Sequence, residues 1–357
     1  MSDPAPDASV IIGVDTHKST HAAVAISALG ARLGSLSIPA RNRGYQALLD
    51  WARSFGPIRA FGIEGTGSYG AGLSRFLSEQ GHPVLEVNRP NRQLRHHRGK
   101  DDMVDAENAA RSVLAGQATA LPKSGTSTVE MIRHLKIARD AAVKARSQAM
   151  QALKAIIVSA PSALREHLER LRGKITLLRH LAALRPGPLT STTASAKASL
   201  RAIARRWLVL DAEVRDHDAN LGQLTQSVAP ELLQAHGMGT GTAAEMLILV
   251  GDNPERIHSE AALAKLCGAC PVPASSGKIN RHRLNRGGNR QANAALYRVV
   301  IVRMRAHQPT LDYVRRRTAE GKSKPDIIRC LKRYVAREIF GYLCRPAHPP
   351  QTATATP

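Results

Sequence analysis

The stretch SVIIGVDTHKSTHAAVAISA (residues 9–28) decides the fold of the first part of the chain. Its two apolar runs, residues 9–15 and 21–28, are rich in β-branched and small side chains and are separated by a short polar turn. This pattern predicts two antiparallel strands. The first predicted strand ends on an acidic residue, Asp15, which makes its carboxyl end a candidate site.

Further strand and helix signals alternate up to residue 115. Residues 32–38 predict a third strand, and apolar side chains at helical spacing predict a helix over residues 44–54. The order of three strands that can pair antiparallel, followed by helix, strand, helix, strand and helix, fits a ribonuclease-H-like α/β fold. The remaining predicted elements are strands at 58–64 and 83–87 and helices at 69–79 and 101–114.

The middle of the chain has a helical pattern at residues 126–160 and 195–228. In the second segment apolar residues recur at alternating three- and four-residue spacing from Leu200 to Leu224, which predicts a coiled coil. Two interpretations remain open, a coiled coil between molecules or a helical hairpin within one chain. Residues 184–196 have the composition of a flexible connection.

Beyond residue 229 the sequence predicts a third, mostly helical module. HGMGTGTAAEMLILVG (residues 236–251) places a Gly-rich turn before a helix, where backbone N–H groups can hold a phosphate, although a plain turn fits as well. The last residues, AHPPQTATATP, predict a disordered tail. The predicted domains are therefore 1–120, 121–228 and 229–345, followed by a tail at 346–357.

Charge is the first functional signal. The 357 residues carry a formal charge of +23. The segment from Lys278 to Arg337 contains seventeen Lys and Arg residues but three acidic residues. Such a concentration predicts binding to a nucleic acid through its phosphates. Aromatic residues make up only 3% of the chain, which disfavours a base-stacking platform for single strands.

Other sequence features limit the compartment in which the protein is expected. No apolar run approaches the roughly 18 residues of a membrane span, and the acidic, Pro-rich start is not a signal peptide. Four cysteines do not form a disulfide framework, and the C-x-x-C at 267–270 has no second pair at zinc spacing. We predict reduced thiols and a cytoplasmic, nucleoid-associated bacterial protein without a membrane partner.

Four carboxylates form the first candidate site. Asp15 and Glu64 end predicted strands, and Asp102 and Asp105 lie three residues apart on a predicted helix. Together they could hold two Mg²⁺ or Mn²⁺ ions for phosphoryl transfer. Each acid also has a structural interpretation, as a turn residue, a strand-end charge or part of a helix N-terminal cluster.

Two basic segments are candidate nucleic-acid contacts. The first precedes the helix acids and contains Arg92, Arg95, Arg98 and Lys100. The second places two serines and a glycine before a run of cations, which can activate a serine hydroxyl as a nucleophile. From spacing alone, a phosphate-binding turn without chemistry is preferred there. The residues of the second segment are Ser275, Ser276, Lys278, Arg281, Arg283, Arg286 and Arg290.

These segments resemble one family. GVDTHK (13–18), IEGTGSYG (63–70), VNRPNRQLRHHRGKDDMVDA (87–106) and PVPASSGKINRHRLNRGGN (271–289) are similar to motifs of the IS110 (insertion sequence 110) family of transposases, in family order. The resemblance implies a RuvC-like domain with an acidic D-E-D-D metal site, a coiled-coil segment and a C-terminal transposase domain. It also implies a serine that becomes transiently linked to DNA, Mg²⁺, multimers and a structured guide RNA.

Carried over by position, the tetrad is Asp15, Glu64, Asp102 and Asp105. Asp101 stands where the family has Ser or Thr, so it is an alternative to Asp102 that the spacing to Asp105 disfavours. The serine directly before Gly277 fits best, which selects Ser276 with Ser275 as the alternate. The candidate nucleic-acid contacts of this region are Lys278, Arg281, Arg283, Arg286, Asn289 and Arg290.

The sequence thus predicts a DNA transposase that uses Mg²⁺ or Mn²⁺ and acts as a homo-oligomer on the double-stranded ends of its element and their target. No ATP-binding G-x-x-x-x-G-K-[ST] motif is present, and a phosphoserine intermediate would need none. Two alternatives remain. One is a RuvC-type junction nuclease that uses water, and the other is a non-catalytic basic protein that binds nucleic acid.

Overall fold

The computed structural model describes residues 8–87, 101–277 and 282–344. The chain divides into two compact units. The first contains the chain up to Ser127 together with Gly251–Arg256, and the second contains Thr128–Val250 and the residues from Ile257 onward.

The first unit is built on a five-stranded mixed sheet with the strand order β3-β2-β1-β4-β5. Strand β1 pairs antiparallel with β2 and parallel with β4. This topology confirms the predicted α/β class, and the strand order is that of a ribonuclease-H-like domain. The elements are β1 Val10–Thr16, β2 Thr20–Ser27, β3 Arg32–Pro39, α1 Asn42–Arg53, β4 Ile58–Glu64, α2 Ala71–Glu79, β5 Val84–Val87 and α3 Asp102–Leu114.

The two faces of this sheet carry separate cores. Alternate residues of β1, such as Val10, Ile12 and Val14, pack with α1 and α2, and the intervening Ile11 packs with α3. A strand whose two faces are both covered needs apolar residues at successive positions, which explains the continuous run VIIGV. The predicted apolar face of α1 is buried in the first of these cores.

Two glycines allow α3 to lie directly against the sheet. A Cβ at Gly13 would lie 2.0 Å from the carbonyl oxygen of Ala106, and one at Gly62 would lie 2.6 Å from a methyl group of Val113. Because only glycine leaves this space, the two positions set the distance between α3 and the strands β1 and β4.

The first unit is completed by a short segment that returns to it late in the chain. The Asp252 carboxylate accepts hydrogen bonds from the backbone N–H groups of Gly125 and Thr126, and the Asn253 amide donates to the carbonyl of Pro122. A 3₁₀ turn, Pro254–Arg256, ends this segment. The sequence pattern did not predict this return of the chain, because it involves residues more than 120 positions apart.

The second unit is almost entirely helical. Its short helices α5 and α6 were not predicted from the sequence, and α7 begins inside the segment expected to be a flexible connection. The elements are α4 Thr128–Ser159, α5 Ser162–Glu169, α6 Lys174–Ala183, α7 Thr192–Val228, α8 Pro230–Gln234, α9 Thr240–Val250, α10 Glu260–Leu266, β6 Val272–Pro273, β7 His282–Arg283, α11 Arg290–Ala306, α12 Gln308–Ala319 and α13 Lys324–Leu343.

Helices α4 and α7 form a long antiparallel hairpin within the chain. Arg139 pairs with Asp218 at 2.9 Å and Arg146 with Asp211 at 2.6 Å, which fixes their register. Trp207, from the three- and four-residue repeat of α7, is buried in a core that α4 shares. The repeat therefore packs inside one chain. Of the two interpretations that the sequence left open, the intrachain hairpin is the one that the structure contains.

The rest of the second unit packs around α9. The last part of the Gly-rich segment, Thr240–Val250, forms this helix, and most of the residues of the helix are buried. The glycine turn immediately precedes the helix, as the sequence predicted, with Gly237 at a φ of 81°. No helix in the described part of the chain combines the length and the apolar composition needed to cross a membrane.

Candidate active site

The acidic site is built at the carboxyl end of β1. Side chains two residues apart on a strand share a face, and Gly13 faces α3, so Asp15 faces α3 as well. His17 follows the strand, and its backbone N–H donates to the carbonyl of Thr20 in the tight reversal to β2. The side chain of Asp15 is thereby held at the bottom of the site, with only 12% of its surface exposed.

The amino-terminal turn of α3 supplies the other acids. Asp101 is the N-cap, and its side chain accepts a hydrogen bond from the N–H of Met103. Asp102 and Asp105 lie in the first turn, where the helix dipole favours negative charge, and Asp105 is buried. The capping role of Asp101 leaves Asp102 as the acid that points toward the strand end, as the spacing to Asp105 had favoured.

His17 lies between Asp15 and Asp102 in this cluster. Its Nε2 atom is 3.2 Å from Asp15 Oδ2 and 3.1 Å from Asp102 Oδ2. The potential ligand atoms of these three residues lie within 4.8 Å of one another. Sequence reasoning missed His17, although its position two residues after the strand-end aspartate is the signal that could have found it.

Electrostatics in the site act against ionisation of Asp15. Burial raises the pKa of its carboxyl group, while the neighbouring His17 lowers it. The negative charges of Asp105 and Asp102 raise the same pKa further. A divalent cation bound among these carboxylates would offset the cost of holding their charges together.

Glu64 occupies the equivalent position on the neighbouring strand. Val14 pairs with Ile63 in the parallel register, so Glu64 lies level with Asp15 at the same edge of the sheet. Gly62 faces α3, and Glu64 therefore shares that face. A hydrogen bond of 2.7 Å from the Thr16 hydroxyl to the Glu64 carbonyl ties the two strand ends together.

The donor set of this edge fits a divalent cation. Carboxylate oxygens are the ligands preferred by Mg²⁺ and Mn²⁺, and an imidazole nitrogen suits the transition metals of that group. The Nε2 atom of His17 is buried, and among the described residues none is aligned to hydrogen-bond with it. A buried nitrogen that faces two carboxylates without a hydrogen bond is well placed to act as a metal ligand.

The second candidate site lies in the second unit. Strands β6 and β7 pair through Val272 with Arg283 and Pro273 with His282, and Ser276 is an exposed residue that follows β6. Gly277 has a φ of 56°, and among the described residues a Cβ there would meet nothing within 4 Å. Both Ser275 and Ser276 are exposed, so the structure does not separate the two candidates.

The loop that follows β7 and the first turn of α11 are both anchored to the end of α10. The Asn285 amide donates to the Lys265 carbonyl at 3.1 Å, and the Asn293 amide donates to the Cys267 carbonyl at 2.8 Å. At Gly288 a Cβ would lie 2.2 Å from the backbone nitrogen of Gly268, so the loop backbone is in direct contact with that turn. The N-R-G-G-N sequence thus serves a packing role as well as carrying charge.

The structure describes four of the ten predicted nucleic-acid contacts. Arg283, Arg286 and Arg290 are exposed, as phosphate contacts need to be. Asn289 is the N-cap of α11, and its side chain accepts a hydrogen bond from the N–H of Ala292. The other predicted contacts, Arg92, Arg95, Arg98, Lys100, Lys278 and Arg281, lie outside the described residues.

The mixed sheet with carboxylates at the adjoining ends of β1 and β4 defines a domain of the ribonuclease-H-like class. Comparison with known families is more specific. The model of the DEDD transposase domain of IS110 elements, described as Transposase, matches residues 12–160, and the model described as Transposase IS116/IS110/IS902 family matches residues 229–315. Together these matches cover more than half of the chain. The protein therefore belongs to the IS110 family of transposases.

Two curated relatives agree with this assignment. The chain is similar to the insertion element IS110 uncharacterized 43.6 kDa protein of Streptomyces coelicolor, with 30% identity over 158 residues, which are 44% of this chain and 38% of the relative. It is also similar to the insertion element IS900 uncharacterized 42 kDa protein of Mycobacterium paratuberculosis, with 27% identity over 175 residues, 48% and 43% of the two chains. Each match thus spans less than half of the relative's length.

Proposed function

We propose that this protein is a DNA transposase that cleaves and rejoins strands at the ends of its own insertion element. The observation that carries the proposal is the convergence of Asp15 and Asp102, with Asp105 in the same helical turn, at one edge of a ribonuclease-H-like sheet. Family membership and the net charge of +23 support DNA as the substrate.

The residues that would hold Mg²⁺ or Mn²⁺ are Asp15, Glu64, Asp102 and Asp105. When bound, a divalent cation supplies charge stabilisation for a phosphoryl oxygen and for the oxygen that leaves. The chain contributes a fixed arrangement, because α3 is packed on Gly13 and Gly62 and cannot approach the strands differently. Preorganised charges of this kind need no reorganisation during the reaction.

Ser276 is the proposed nucleophile, with Ser275 as the alternate. Its hydroxyl oxygen forms a bond to a backbone phosphorus and loses its proton, and the bond from phosphorus to one strand oxygen breaks and releases a strand hydroxyl. A strand hydroxyl later attacks the phosphoserine and frees Ser276. Because each step exchanges one phosphodiester for another, ATP is not required. Arg283, Arg286 and Arg290 would neutralise the phosphates on either side.

A covalent-trapping experiment tests this chemistry. Purified protein with its co-purifying nucleic acid is incubated with labelled element-end DNA and Mg²⁺, denatured, and examined for labelled protein. We expect an adduct that is lost in Ser276→Ala and kept in the matched control Ser275→Ala. The reverse pattern would move the nucleophile to Ser275, and an adduct in neither single variant but in the wild type would require both serines.

A junction nuclease that uses water is the second candidate. It is favoured by one observation, that all four acids belong to the first unit whereas both serines belong to the second. This enzyme would release cleaved DNA without any labelled protein. A non-catalytic binding protein would show neither product, and its DNA binding would be indifferent to Mg²⁺ and to Asp102→Asn.

Two further parts of the proposal concern partners. We propose that the protein acts as a homo-oligomer in which the acids of one protomer serve the serine of another. Mixing Asp15→Ala and Ser276→Ala chains tests this, since recovered activity requires a shared site and inactivity at every ratio contradicts it. We also propose a structured guide RNA, which predicts that ribonuclease treatment of the purified protein abolishes cleavage and that added element RNA restores it.

A further inference from the structure

His17 stands apart from the four acids that the family pattern assigns. Its Nε2 atom lies 3.2 Å from Asp15 Oδ2 and 3.1 Å from Asp102 Oδ2, although 40% of the side-chain surface is exposed. The atom itself is buried, and none of the described residues offers it a well-directed hydrogen bond. The position of this histidine calls for a common binding partner of Nε2 and the two carboxylates.

Three features of the backbone aim this imidazole into the site. His17 lies two residues after Asp15 along the direction of β1, and its N–H is fixed to the Thr20 carbonyl at 3.0 Å. The intervening Thr16 points the other way along the strand and donates to the Glu64 carbonyl. The side chain of His17 is therefore placed over the α3 face, where Asp102 meets it.

The separations agree with three ligands of one ion. In octahedral coordination with metal–ligand distances of about 2.1 Å, adjacent ligand atoms lie roughly 3 Å apart. The two observed distances from Nε2 are close to this value, and the full set of ligand atoms falls within 4.8 Å. An imidazolium paired with both carboxylates would also explain the two distances, but it would direct its N–H toward one of them, whereas a shared cation explains the two distances and the missing hydrogen bond.

We propose that His17, through Nε2, is a ligand of the divalent cation held by Asp15 and Asp102. This inference rests on the metal dependence in the proposed function and adds a nitrogen donor to its four acids. An imidazole ligand favours Mn²⁺ over Mg²⁺ relative to a site made only of oxygens. The cation preference of the protein is then set by a residue outside the acidic tetrad.

Mn²⁺ gives a direct test, because its electron spin reports the nuclei bound to it. The full-length protein is loaded with Mn²⁺ alone, its affinity is measured from the free-ion signal, and electron spin echo modulation is recorded for a coordinated ¹⁴N. We expect a nitrogen coupling in the wild type. In His17→Gln we expect that coupling to disappear and Mn²⁺ binding to weaken at least about tenfold.

Two further variants separate ligation from an effect on folding. His17→Asp replaces nitrogen by an oxygen donor, so it should bind Mn²⁺ more tightly than His17→Gln but show no nitrogen coupling. His82→Gln, a change of the same type in the same unit, should keep both the affinity and the coupling of the wild type. Circular dichroism checks that each variant is folded.

Several outcomes would overturn the inference. One is Mn²⁺ binding without any nitrogen coupling in the wild type, and another is a coupling that persists in His17→Gln. A wild type that does not bind Mn²⁺ at all would also overturn it. Mg²⁺-dependent adduct formation that is lost in Asp102→Asn but unchanged in His17→Gln would leave the proposed transposase function intact while removing His17 from the metal site.

Discussion

Two regions of the molecule are built in opposite ways. One is the acidic edge of the first unit, which carries Asp15, Glu64, Asp102 and Asp105; the other is the serine hairpin of the second unit, which consists of β6, β7 and the segment between them. Asp15 ends a strand buried on both faces, and Asp105 lies buried in a helix that glycines allow to touch the sheet. Ser276 follows a two-residue strand, and the residues from Pro273 to Gly277 are all exposed. Groups that hold a cation need a rigid frame, whereas a group that meets a DNA strand has to be accessible.

This contrast indicates where each site's precision comes from. The acidic edge is positioned by the protein alone, through sheet register and close helix packing. Because the described residues around Ser276 are exposed, we expect the local stability there to be low until a nucleic acid binds. The loop after β7 is anchored to the end of α10 by Asn285, and the start of α11 is anchored there by Asn293.

The largest expected effect comes from removing one acid. Asp102→Asn keeps the shape of the side chain but removes its charge, so we expect Mg²⁺-dependent adduct formation to fall by about a thousandfold, since metal-held charge stabilisation is worth several kcal/mol. Single-turnover trapping with element-end DNA measures this loss. DNA affinity, measured in parallel by a mobility shift, should stay within about twofold; a loss of affinity equal to the loss of rate would assign Asp102 to binding instead.

A pair of glycine substitutions tests the difference in packing. Gly13→Ala places a methyl group 2.0 Å from the backbone oxygen of Ala106, which cannot move away, so we expect a destabilisation of about 3 kcal/mol or more. Gly277→Ala would meet none of the described residues within 4 Å, so its expected cost is the strain of a φ of 56°, about 1 kcal/mol. Urea unfolding monitored on both variants gives the comparison. Equal costs would show that the hairpin is as tightly packed as the sheet.

The acidic edge should also show a conflict between stability and function. The pKa of Asp15 is raised in the folded protein, so its contribution to stability is present below the unfolded pKa and is lost as the pH rises through the folded value. Asp15→Asn should therefore stabilise the metal-free protein at pH 7 and raise its Tm.

The pH dependence of that effect provides its control. As the pH falls from the raised folded pKa of this carboxyl group toward the unfolded value of about 4, the Tm difference between Asp15→Asn and the wild type should shrink. Ser276→Ala, in the exposed hairpin, should show no such difference at any pH. Thermal melts from pH 4 to pH 8 without divalent ions would contradict the interpretation if the advantage of Asp15→Asn were constant.

The smallest effect concerns the anchor of the serine loop. Asn293 donates to the Cys267 carbonyl and accepts from the Lys332 ammonium group at 2.9 Å. Asn293→Ala removes both bonds, so we expect a destabilisation of about 1 kcal/mol and a reduction of adduct formation by a few-fold. The exposed helical Asn220→Ala is the matched control and should change neither quantity. An unchanged rate in Asn293→Ala would mean that bound DNA, and not this anchor, positions the serine.

Much of the first unit could be predicted from the sequence, because its elements are decided locally. The apolar runs on either side of the turn after Asp15, the helical spacing of Tyr45, Leu48 and Leu49, and the segment that contains Asp102 and Asp105 each predicted an element that the structure contains. These patterns depend on neighbours within about seven positions, which a single sequence displays. The family motifs added the expected role of Ser276 as the nucleophile.

Tertiary structure decided what depends on distant partners. The repeat in α7 could pack against another molecule or against α4, and only the ion pairs Arg139–Asp218 and Arg146–Asp211 identify the hairpin within one chain. The return of Asp252 to the first unit and the approach of His17 to Asp102 likewise join residues more than 80 positions apart. The sequence by itself determined the elements and the candidate acids. Their convergence required the sheet register and the two glycines that bring α3 against β1 and β4, because a contact between distant segments leaves no local periodicity in the sequence.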